Sequence, residues 1–97
     1  MSDKIQVPSI GRIVHYILED ERSAGQHRPA IITRVWASGD QVTLETAVQL
    51  QVFTDGTNDN IEGGANVVWK TSRQYRDPTE GKKGTWHWPE YVPAKDA

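Results

Sequence analysis

The stretch VTLETAVQLQVF, residues 42–53, decides the fold. Val42, Leu44, Thr46, Val48, Leu50 and Val52 recur at strict period two against Thr43, Glu45, Ala47, Gln49, Gln51 and Phe53. That alternation is the signature of a β-strand with one face buried. A single strand over the whole stretch would exceed the usual length of about 5 to 6 residues. The reading therefore predicts a bend near residues 45–47 or a long curved strand, with AVQLQVF as its firmest part.

Working outward, GRIVHYIL (residues 11–18) and RPAIITRVW (residues 28–36) are β-branched and aromatic. Pro29 stands near the start of its segment, where a strand tolerates it. In the first of these, Ile13, His15 and Ile17 alternate with Val14, Tyr16 and Leu18, and either set could face inward. Between them EDERSAGQH is a polar loop. Downstream, TDGTNDNIEGGAN (residues 54–66) is a long loop or wide hairpin connection rich in turn dipeptides. Residues 65–75 hold a fourth strand, 77–84 a polar connection, and TWHWPEY (residues 85–91) a short aromatic closing element; SRQYRD could make a turn. No segment carries a helical stripe. The expectation is an all-β fold, a small antiparallel SH3-like barrel of about five strands. Residues 1–10 are its irregular lead-in, 11–92 the single barrel domain and 93–97 a flexible tail.

The chain has 97 residues, 11 Lys plus Arg against 13 Asp plus Glu, no Cys and four Trp. A domain of this size has a thin core, and oligomerisation is a natural way to add burial. The net charge of −2 argues against a protein that grips long nucleic acid, which needs clustered Lys and Arg. The apolar runs are far too short to span a bilayer, and residues 1–9 lack a signal-peptide core. Without Cys there are no disulfide staples and no Cys-based zinc sites.

Trp86-His87-Trp88-Pro89-Glu90 is the most distinctive string. In a strand the two indoles share one face and His87 the other, so Trp86 and Trp88 either close the core or offer a stacking platform. His15, His27 and His87 are the three histidines. With Asp55, Asp59 or Glu62 they could form a metal site, but their spacing matches no metal-ligand motif, and the expectation is no metal and no cofactor. The loop 54–60 departs from the calcium-loop register and reads as a solvated turn. No nucleophile elbow is present, so the expectation is a protein without enzymatic activity. Arg28, between a glycine-bearing loop and a strand, is the first choice for an anion contact, followed by Arg73 and Arg76. Thr71 and Ser72 could donate to a phosphate or a base edge. The expected ligand-binding set is Tyr16, Arg28, Trp36, Trp69, Thr71, Ser72, Arg73, Trp86, His87 and Trp88.

The strings GRIVHY (residues 11–16), RPAII (28–32), VQLQVFTDG (48–56) and GTWHWPE (84–90) resemble those of a group of small proteins encoded by tailed bacteriophages. The resemblance runs in order from about Ser9 to Glu90. It suggests similarity to the anti-CBASS and anti-Thoeris sponge proteins, which sequester nucleotide immune signals in the infected host's cytoplasm. The implied function is binding of a small cyclic nucleotide without cleavage, by a homo-oligomer that touches neither long nucleic acid nor membrane. Two alternatives stay open: a protein-interaction or phage structural accessory module using a Trp-rich patch, and a small nuclease or phosphodiesterase using His15 or His87.

Overall fold

The computed structural model describes residues 6–59, 66–90 and 92–95. Five antiparallel strands form one sheet: β1 (Ile13–Ile17), β2 (His27–Val35), β3 (Val48–Phe53), β4 (Val67–Arg73) and β5 (Trp86–His87), in the order β4-β3-β2-β1-β5. The all-β expectation holds. Two single turns of 3-10 helix, Gly39–Gln41 and Pro78–Glu80, lie in the connections. Among the described residues no helix is long and apolar enough to cross a membrane.

The period-two stretch resolves into a bend followed by a strand. Residues 43–46 turn, with Thr46 N donating to Thr43 O at 3.1 Å. β3 then begins at Val48, so only the second half of the alternation is strand. The hydroxyls explain the break: Thr46 Oγ1 accepts from Thr43 N at 2.8 Å and Thr43 Oγ1 from Glu45 N at 3.2 Å. Such local bonds compete with strand pairing.

The sheet has two distinct faces. Val14, Tyr16 and Leu18, Ala30 and Ile32, Val48, Leu50 and Val52, and Trp86 form the fully buried core. This resolves the ambiguity of the first strand: its even-numbered residues point inward. The opposite face carries Ile13 and His15, Pro29 and Ile31, Gln49, Gln51 and Phe53, Val67, Trp69 and Thr71, and much of it is open to solvent. A register shift between Ile32 and Arg34 changes the phase of β2. After it, Val35 sits opposite the buried Val48, while Arg34 pairs with Gln49 on the open face. Such bulges re-aim the side chains that follow them.

The two edges of the sheet meet at one point. Just beyond β4, Tyr75 forms an isolated parallel bridge with Trp86 of β5. Arg76 N donates to Trp86 O at 3.1 Å, and Trp86 N to Gln74 O at 3.3 Å. Trp86 fills the interior beneath this seam, with Tyr75 edge-on at 5.3 Å and Trp88 edge-on at 4.9 Å. Trp86 is thus part of the core, with Trp88 half-buried against it. Gly84 leads into β5 with a φ of +80°, and a Cβ there would fall 2.5 Å from the Glu19 carboxylate. Only glycine satisfies both the left-handed backbone and that close approach.

Charged groups cap the core at the same end. Lys70 projects inward from β4 and its ammonium reaches Glu21 at 2.9 Å. Tyr16 donates to Glu19 at 2.8 Å, and Arg73 pairs with the same carboxylate at 2.5 Å. Burial, reinforced by the bond to Glu19, holds the Tyr16 phenol far above its ordinary pKa.

Candidate functional site

The residues singled out from sequence fall into three environments. Tyr16 and Trp86 are fully buried in the core, and Trp88 is half-buried against it with the Arg12 guanidinium 4.9 Å from its ring centre. Arg28 and Arg73 are engaged by carboxylates: Arg73 by Glu19, Arg28 by Asp59. The loop carboxylate Asp59 is no solvated turn residue. It is fully buried, and its two oxygens accept from Arg28 Nε and Nη2, both at 2.8 Å. Asp59 Oδ2 also accepts from the Asp55 amide at 2.8 Å. The Arg28 fork, then burial in the opposite direction, set the Asp59 carboxyl, and the net result lies well below the usual carboxylate range. Arg28 is therefore committed to holding the 55–59 turn against β2, not presented to a ligand. Glu62 lies outside the described residues.

The remaining residues share the open face of the sheet. Trp69 and Trp36 are 55% and 46% exposed. Trp69 Nε1 donates to Gln49 Oε1 at 3.1 Å. Gln49 is the register partner of Arg34, whose guanidinium lies 4.2 Å over the Trp36 ring. Trp69, Gln49, Arg34 and Trp36 thus form a continuous array across β4, β3 and the end of β2. Thr71 follows Trp69 on the same exposed side of β4, with its hydroxyl 3.4 Å from that of Ser72. Ser72 itself sits at a φ of +56° beside the register shift between β3 and β4. Arg34 was missed from sequence because only the bulge in β2 brings it onto this face, beside Gln49, which the alternation of β3 already places there. The array stands on an apolar field: Ile13, Phe53 and Val67 are all exposed.

At the opposite corner of the face the three histidines converge. Strand register does the work: His15 pairs directly with His87 across β1 and β5, and His27 is opposite Ile17 across β2 and β1. One oxygen of Glu90, Oε1, lies 3.1 Å from His15 Nδ1, 3.0 Å from His27 Nδ1 and 2.5 Å from His87 Nε2. His87 packs edge-on against His27 at 4.7 Å and His15 at 5.7 Å between ring centres. The His87 ring is completely buried and its Nδ1 has no hydrogen-bond partner, while Glu90, His15 and His27 keep access to solvent. Burial pushes the His87 pKa down against the opposing pull of Glu90, which favours the neutral ring. Bonds from His87, then His15 and His27, lower the Glu90 carboxyl to about 2.

The carboxylate the histidines share is Glu90, a residue the sequence reading had not set beside them. The local signal was the spacing of His87 and Glu90, three residues apart with Pro89 turning the chain between them. In comparisons with known proteins, no family model, no curated protein and no solved structure matches the chain.

Proposed function

We propose that the protein captures a small nucleotide on the open face of its sheet and holds it without cleavage. The observation that carries this reading is the Trp69–Gln49–Arg34–Trp36 array. Exposed indoles stack on nucleobases, each worth about 1–3 kcal/mol. A guanidinium already held over one indole is positioned to meet a phosphate, and the Gln49 amide can read a polar edge. The net charge of −2 suits a compact ligand with one or two phosphates better than a polyanion. Among the described residues no pocket opens on this face, so enclosing such a ligand requires a second copy of the chain, and the reading includes a homo-oligomer. In the role that the phage resemblance implies, the ligand is a cyclic dinucleotide or cyclic ADP-ribose derivative and the setting is the host cytoplasm.

A panel of cyclic and linear nucleotides, screened by thermal shift and followed by mass spectrometry of the released ligand, tests this. Intact recovery, abolished by Trp69→Ala or Arg34→Ala at unchanged folding, supports capture. An altered product would replace it with an enzyme.

A second reading rests on the apolar field. Ile13, Phe53 and Val67, exposed by 59%, 42% and 43%, extend the face beyond the array and suit a docked protein surface. No shift with any nucleotide, together with a stable complex lost on Phe53→Ser, would favour it.

A further inference from the structure

We infer that His15, His87 and Glu90, with His27 beside them, form a binding site for one divalent transition-metal ion of the zinc class, which fastens the closing strand β5 to the rest of the sheet.

The donor set comes first. Three imidazole nitrogens and one carboxylate suit zinc and its neighbours in the first transition row, whereas calcium and magnesium take oxygen donors. The geometry agrees. Neighbouring donors in a tetrahedral zinc site lie roughly 3.3 Å apart, as zinc–nitrogen distances of about 2.0–2.1 Å require. Here the three nitrogens lie 2.5–3.1 Å from Glu90 Oε1. The donor atoms of His15, His87 and Glu90 all fall within 4.8 Å of one another; His27 stands beside that trio and reaches it through Glu90 Oε1, at 3.0 Å.

Hydrogen bonding alone accounts for this arrangement poorly. A carboxylate oxygen offers two lone pairs, yet three ring nitrogens crowd this one. A cation among the four groups would use the same lone pairs without placing three N–H donors on a single atom.

The placement of the donors supplies a purpose. Three of the four sit on paired strands, which hold their rings in register. β5 is only two residues long and pairs with β1 through His15–His87 and Tyr16–Trp86, continued by backbone bonds from Ile17 to Thr85 and from Gly84 to Ile17. That strand carries Trp86, a large part of a thin core. A domain of 97 residues without cysteine has no disulfide to secure such an edge, and a bound metal adds its binding energy directly to folding. Three protein donors, two of them on the paired strands β1 and β5, would let the ion tie β5 to its neighbour, with His27 beside the remaining coordination position. Solvent reaches His15, His27 and Glu90, which leaves an entry path for the ion. The inference is independent of nucleotide capture, whose array occupies the other corner of the face.

The test uses the full chain, stripped with a chelator and titrated with Zn²⁺ by calorimetry, and in parallel with Co²⁺ for its visible spectrum. The expected result is one ion per chain, a higher Tm with Zn²⁺, and the intense visible bands of tetrahedral Co²⁺. Removing an outer-sphere partner of a metal ligand already costs about 10- to 100-fold in affinity. Losing a ligand in Glu90→Gln or His15→Ala should therefore cost at least about 10-fold. His87→Ala also opens a buried space, so the two more exposed positions carry the test. Trp69→Ala should bind the ion unchanged. Failure to take up one equivalent, or uptake that His15→Ala and Glu90→Gln leave intact, would overturn the site, as would an octahedral Co²⁺ spectrum.

Discussion

Replacing Arg28 by Ala should destabilise the protein by about 3 kcal/mol. The guanidinium grips both oxygens of Asp59 at 2.8 Å, and that carboxylate is fully buried. After truncation the Asp55 amide and the Ser23 hydroxyl still donate to it, but no charge opposes its own. Breaking a buried pair from one side costs about 3–5 kcal/mol, because the abandoned charge stays in the interior. Arg28 keeps 22% of its side chain in solvent, which places the expectation at the lower end. For a domain whose total stability is of order 5–15 kcal/mol this is a large fraction. With a urea m-value of about 1.5 kcal/mol/M, the midpoint should fall by about 2 M. Equilibrium urea unfolding at pH 7, followed by tryptophan fluorescence, measures it. Asp59→Asn and the double variant complete a cycle whose coupling should exceed about 1 kcal/mol. Raising the salt concentration should alter the result little, since a buried pair is poorly screened. A loss below about 1 kcal/mol in Arg28→Ala, or a coupling near zero, would refute the assignment of Arg28 to structure and return it to the pool of free anion contacts.

Other expectations follow from the same geometry. Gly84→Ala forces a left-handed alanine, at about 1–2 kcal/mol, and drives its Cβ against Glu19; thermal unfolding by circular dichroism should show a clearly lower Tm. Trp86→Ala should cost about 3–5 kcal/mol as a core truncation. Trp69→Ala, at an exposed site, should stay within about 0.5 kcal/mol of the parent, and paired urea melts distinguish the two. Stability should also fall in acid. The Asp59 carboxyl is depressed in the folded state by the Arg28 fork, so its contribution is complete above the unfolded value of about 3.9 and disappears as pH falls through the lower folded value. Urea melts between pH 7 and pH 3 should show this decline, and it should be smaller in Asp59→Asn.

The strands were legible because their chemistry is local. AVQLQVF alternates cleanly since β3 is an inner strand, with one face in the core and the other partly open. β1 was ambiguous for a physical reason: His15 and Ile17, on the side away from the core, are themselves partly or fully covered, so both sets of residues look buried. The closing tryptophans shared a face as strand geometry requires, but which face depends on where the sheet's edges meet, a property of the whole topology. The histidine cluster was hidden more deeply. Residues 15, 27, 87 and 90 come together only through the register of three strands, and no pairwise spacing except that of His87 and Glu90 hints at it. Asp59 misled in the opposite sense: a turn-forming sequence is ordinarily solvated, and nothing local announces that Arg28, on a distant strand, draws this one inside.

The brevity of β5 has a kinetic consequence. Its two residues bind the sheet at both ends, to β1 along one side and to Tyr75 along the other, and both contacts join segments far apart in sequence or across a loop. The core therefore stays open until the TWHWPE segment has been synthesised and has docked. Folding dominated by such long-range closure falls in the slower, millisecond-to-second range. A chain cut ahead of residue 85 should leave uncovered the part of the β1–β4 interior that Trp86 fills. Such a chain should aggregate more readily than the intact one, because exposed apolar surface is what associates.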